Sequence, residues 1–75
     1  MKLNPIASNM TELTKTEGTV ILFSYQTPVA ALLPSGRYVK TAKKWSKTTS
    51  RHINKWLCGI EPEEEQQDFF DRLAV

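Results

Sequence analysis

The chain has 75 residues, 40% of them hydrophobic, a formal charge of +2 and a single cysteine. That length sets one domain near the lower limit for a self-sufficient core, and the apolar share argues against wholesale disorder. One cysteine cannot form an internal disulfide, runs no longer than VILF (20–23) and VAALL (29–33) exclude a helical membrane span, and MKLNPIASNM lacks the apolar segment of a secretory signal, so a small cytoplasmic protein is expected.

The net charge conceals a segregation along the chain. Residues 1–17 are neutral, residues 18–60 carry seven Lys or Arg and no acid, and residues 61–75 set six acids against Arg72. A basic block of this kind points to an anionic partner, and an acidic tail can compete for it.

Residues 1–17 mix Asn, Ser, Thr and Pro with little periodicity and read as a loosely ordered leader, with Met10 and Leu13 able to pin a turn onto the core. Residues 18–75 read as a single small domain. TVILFSYQ (19–26) is apolar on both alternating faces, the pattern of a strand that is central or covered on both sides. Pro28 marks a turn, bulge or edge, because it cannot donate to a ladder. VAALL (29–33), the turn PSG (34–36) and RYVKT (37–41) predict a β-hairpin over 29–41.

A helix follows over about 46–58, with Thr49, Ile53, Trp56, Leu57 and Ile60 in one stripe and Trp45 and His52 at its flank. Ser46 or Thr48 can cap its start and Gly59 its end. Pro62 and the acids after it fit the start of a second, acidic helix over about 62–74, whose apolar stripe includes Phe69, Phe70 and Leu73. The expected class is therefore α+β: a small antiparallel sheet of two to three strands over about 19–41, followed by two helices.

On the first helix Lys44, Lys47, Arg51 and Lys55 recur every three or four residues and project within about 80° of one another, opposite Ile53 and Leu57. With Arg37, Tyr38 and Lys40 from the preceding strand they form the candidate nucleic-acid surface, since cations neutralise phosphates and aromatic rings stack on exposed bases. The bland alternative is a solvated helix face, with Trp45 and Trp56 serving the core, and for the tryptophans the core reading is preferred. Thr48, Thr49 and Ser50 are poor helix formers crowded at a helix start. Either they cap free N–H groups, the favoured reading, or they form an anion site backed by Lys47 and Arg51.

Catalytic chemistry finds little support. His52 and Cys58, six residues apart, point about 120° from each other on a helix and cannot share a zinc ion. The Glu run lacks the spacing of a calcium loop, and the glycines form no phosphate loop. No metal or cofactor is expected, and the chain reads as a non-enzyme.

The segments LFSYQTPVA (22–30) and W-SKTTSRHINKWL (45–57) resemble a family of small proteins of unknown function that is common in bacteriophage genomes. The shared residues are Phe23, Ser24, Tyr25, Thr27, Pro28, Val29 and Ala30, then Gly36 and Tyr38, and finally Ser46, Thr48, Thr49, Ser50, His52, Ile53, Asn54, Trp56 and Leu57. The resemblance covers roughly residues 18–59, leaving the leader and residues 60–75 outside. It implies a phage or prophage origin and the cytoplasm of an infected cell, and brings no catalytic or binding residues with it.

Three functions compete. Nucleic-acid binding through the basic helix face stands narrowly first. Next is a protein-binding module that inhibits or redirects a host or defence enzyme, with Phe69 and Phe70 of the acidic helix as its contact residues. A structural reading neutralises the basic block with the acidic tail inside a homodimer.

Overall fold

A computed structural model describes residues 2–7 and 9–74, with the side chains of Lys2 and Ala7 left out. Six strands form one sheet in sequence order: β1 (Lys2–Ala7), β2 (Met10–Thr14), β3 (Val20–Ser24), β4 (Thr27–Leu32), β5 (Tyr38–Thr41) and β6 (Glu63–Glu65). The first five make an antiparallel meander, and β6 lies parallel to β5. Helix α1 (Lys47–Leu57) sits between β5 and β6, and α2 (Gln67–Leu73) closes the chain. A parallel neighbour requires a crossover, and α1 supplies it.

The two helices pack on opposite faces of the sheet. Ile53 and Leu57 of α1 join Met10, Leu22, Val29 and Ala30, with Tyr38, Trp45 and Trp56 packed against them. Phe70 of α2 joins Leu13, Ile21, Ala31 and Val39, with Phe23, Phe69 and Leu73 alongside. Strand period explains the division: Ile21 and Leu22 point to opposite faces, as do Ala30 and Ala31. The two alanines are fully buried near the middle of the sheet, and their small side chains let both helices approach closely.

Local chemistry fixes the turns. Leu22 pairs with Ala30 but Phe23 pairs with Pro28, so Val29 is an extra residue in β4; this bulge accommodates Pro28, which has no N–H to give. The Ser46 hydroxyl caps α1 by accepting from the Thr49 N–H at 3.3 Å. At the other end Cys58 turns left-handed at φ 52° and Gly59 follows at φ 88°, a conformation glycine adopts without a Cβ penalty. Lys15 Nζ donates to the Leu73 carbonyl at 3.0 Å, tying the start of the chain to the end of α2.

Three sequence-based expectations require correction. The sheet has six strands, not two or three, although the α+β class, the 29–41 hairpin and the first helix are present. Residues 2–7 and 10–14, expected to be a loose leader, are β1 and β2, and Met10 and Leu13 are core residues on opposite faces. The acidic helix over 62–74 is a strand followed by a shorter helix. Glu63, Glu64 and Glu65 pair with Val39, Lys40 and Thr41, and the chain turns helical only at Gln67. The reason is tertiary: the open edge of β5 offers ladder partners, while Arg37 pairs with Glu63 through Nε at 2.7 Å and through Nη2, and Lys40 lies 3.9 Å from Glu64. Both ends of the sheet carry devices that discourage further pairing, Pro5 within β1 and the glutamates of β6.

Two outcomes are expected. Phe70 is 0% exposed whereas Phe69 is half-buried, so Phe70→Ala should lower stability in urea by about 3–5 kcal/mol and Phe69→Ala by clearly less; equal losses would contradict this seating of α2. The bond from Arg37 holds the Glu63 carboxyl below its ordinary value. Its contribution is therefore complete above the ordinary glutamate range and is lost as pH falls through the depressed value. Carbon-detected NMR titration should place the Glu63 midpoint below the ordinary glutamate value, and Arg37→Gln should move it upward.

Candidate functional site

The predicted cations fall into two groups. Arg37 and Lys40, beside and within β5, are engaged by Glu63 and Glu64. Lys47, Arg51 and Lys55 project from α1, exposed, and Lys43 and Lys44 precede it in the loop after β5, also exposed. None of these five has a carboxylate within 4.0 Å among the described residues. Lys44 lies ahead of the helix, so its place on the helical wheel does not hold, although it remains beside the same surface. The acidic tail thus neutralises the sheet's cations and leaves the helix's cations to solvent.

Between this loop and α1 runs a groove of about 250 Å³. Lys40, Lys43 and Lys44 line it together with Trp45, while Ser50 and Asn54 contribute from one turn apart on α1. Glu64 is its one acidic lining residue. A concave site with so uneven a charge concentrates anions more effectively than the same charges on a flat surface. The Lys43 ammonium lies 4.4 Å from the centroid of the Trp45 ring, a cation–π contact.

Trp45 is held by a residue that the sequence patterns did not single out. Its Nε1–H donates to Gln67 Oε1 at 3.2 Å, the oxygen that also accepts from Thr41 Oγ1 at 2.8 Å. The Gln67 amide nitrogen donates to the Pro28 carbonyl at 2.8 Å and to Asp71 Oδ1 at 3.1 Å. With all four of its hydrogen-bonding positions occupied, Gln67 fixes the indole relative to β4, β5 and α2. Trp45 is both a packing residue of the α1 face and a wall of the groove. Tyr38 and Trp56 are different. Their rings meet edge to face with centroids 5.8 Å apart, both half-buried, so they pack against each other in the core margin.

The polar string at the helix start divides by burial. Thr48 is exposed, Ser50 is exposed and reaches the groove, and Thr49 is buried. Thr49 Oγ1 accepts from the Ser46 hydroxyl at 3.3 Å and lies 3.0 Å from Ser24 Oγ, which in turn lies 2.8 Å from His52 Nδ1. This chain of side chains binds α1 to β3, and four of the residues shared in the resemblance meet in it. The i, i+3 spacing of Thr49 and His52 puts both on one helix face. Although a serine beside a histidine suggests a nucleophile and its base, Ser24 is 2% exposed, so a substrate would have to displace α1 to reach it. Tyr25, next to Ser24, is held at φ 59° with its ring 6.1 Å from that of His52.

Phe69 and Phe70, proposed from sequence as partner contacts, stack edge to face at 5.2 Å within their own chain's second core. Phe70 leaves no surface to offer. Among the described residues no three His, Cys, Asp or Glu side chains are placed to hold a metal ion, and no helix is long and apolar enough to cross a membrane.

Comparison with known proteins finds one family model, itself of unknown function. The matching family model spans residues 1–72, taking in β1, β2, β6 and nearly all of α2, well beyond the 18–59 stretch that carried the sequence pattern. No curated protein and no solved structure matches the chain. The protein belongs to the family of unknown function DUF8033.

Proposed function

We propose that this protein is a small, non-enzymatic accessory protein of phage type that binds nucleic acid through the outer face of α1 and the adjoining groove. The carrying observation is the sorting of the cations: the two on and beside β5 are paired with glutamates, whereas Lys43, Lys44, Lys47, Arg51 and Lys55 have no carboxylate partner among the described residues. A surface needed only for solubility gains more from interspersed signs than from a single-sign stripe. Phosphates would take the place of the counterions held by these side chains, and release of those ions drives binding.

Binding should weaken steeply with salt. Four phosphate contacts correspond to a slope of log K against log salt of about −4 for duplex or about −3 for a single strand. Replacing Lys44, Lys47 and Arg51 together by Glu should abolish binding, and each replacement by Gln should reduce the slope by about one. Fluorescence anisotropy across a salt series measures both, and thermal unfolding should change little because all three side chains are exposed. Unchanged affinity in the triple variant would overturn the reading.

A second reading, a protein-binding module, is supported by a separate feature. A groove of about 320 Å³ on the α2 side of the sheet is bounded by Leu3, Phe23 and Tyr25, and Leu3 is 68% exposed. Exposed apolar patches of this kind mark protein contacts. If the contact is with a second copy, light scattering should give about twice 8.6 kDa and Leu3→Glu should return the monomer; a monomer at both low and high salt removes the self-association version.

A further inference from the structure

We infer that the groove beside Trp45 accepts one unstacked base of a single-stranded nucleic acid, and so makes the protein a single-strand binder in preference to a duplex binder. This rests on the nucleic-acid reading above and narrows its ligand.

Three observations converge. The indole is pre-positioned, because its N–H is bonded to a Gln67 amide that is itself bonded to β4, β5 and α2. An aromatic platform fixed in this way loses little freedom when a base stacks on it. The ammonium of Lys43, an exposed residue on a flexible stem, lies over the ring 4.4 Å from its centroid, and the ring borders the groove. A base can displace that ammonium and gain the ring face, while the lysine moves to the phosphate of the same nucleotide, so the cation–π contact that is lost is replaced by a charge pair. Finally, Ser50 and Asn54, both exposed, line the groove, and a hydroxyl and an amide can meet a base edge or a phosphate oxygen.

Size favours the same conclusion. A volume of about 250 Å³ is below the roughly 300 Å³ at which drug-sized pockets begin, which suits one base and its sugar. A duplex keeps its base faces stacked and offers only edges and backbone, so it could lie along the α1 cations without entering the groove.

The test uses the Trp56→Phe protein, in which Trp45 is the sole tryptophan. Oligo(dT) and oligo(U) should quench its emission, the two arms separating deoxyribose from ribose, and should bind about tenfold tighter than a hairpin duplex of equal nucleotide count. Filling the groove by Ser50→Met with Asn54→Met leaves the charge unchanged. It should weaken single-strand binding by about 5- to 150-fold, the range of one lost base stack, and abolish the quench without altering duplex binding. Unchanged Trp45 emission at saturation, or equal affinity for an abasic strand or for the duplex, would overturn the groove assignment while leaving the charged-face reading intact. Absence of binding to any of these nucleic acids would remove both.

Discussion

Burial of the sheet on both faces is the constraint from which the rest of the structure follows. A chain this short has apolar side chains for two thin layers only, and β3 and β4 supply both by alternating large aliphatics with paired alanines. Each face needs its own helix. Since the meander brings the chain to an edge at β5, α1 must cross one face and deliver β6 back alongside β5 before α2 can cover the other. The acidic segment is thus a necessary link in the path between two hydrophobic layers. The Ser46–Thr49–Ser24–His52 chain serves the same demand, fastening α1 where only a few aliphatic contacts hold it.

This path also determines how charge is presented. By laying Glu63 and Glu64 against Arg37 and Lys40, the sheet edge uses acid to neutralise base within the fold. The cations of the α1 surface have no carboxylate within 4.0 Å among the described residues and stay unpaired. What looks in composition like a balanced chain becomes, in three dimensions, a neutralised edge beside an unneutralised helix. Gln67 links the two regions, because it opens α2 on one side of the sheet and bonds the tryptophan that walls the groove on the other.

How much of this was legible in the sequence varied with the range of the interactions. TVILFSYQ announced a strand covered on both sides, and the 3.6-residue period of Ile53, Leu57, Lys47, Arg51 and Lys55 announced both the helix and its charged face, because each signal is local. The strand β1 did not show itself, since Asn4 and Pro5 interrupt any alternation and an exposed edge needs few apolar residues. Glu63–Glu65 reads as a helix start after Pro62, and only its pairing with β5 makes it extended. The Arg37–Glu63 pair spans 26 residues and the Trp45–Gln67 bond 22, so no short window contains them. The Thr49–His52 face was visible, but its partner Ser24 lies 28 residues before His52.

The two ends of the sheet bear on the protein's behaviour when crowded. An open sheet of six strands could in principle template its own extension, with one molecule's β1 adding to another's β6 in an endless ribbon. Here a proline interrupts one rim strand and the other rim strand consists of glutamates, both of which disfavour strand addition. Such rims resist stacking into fibres even where the local concentration is high.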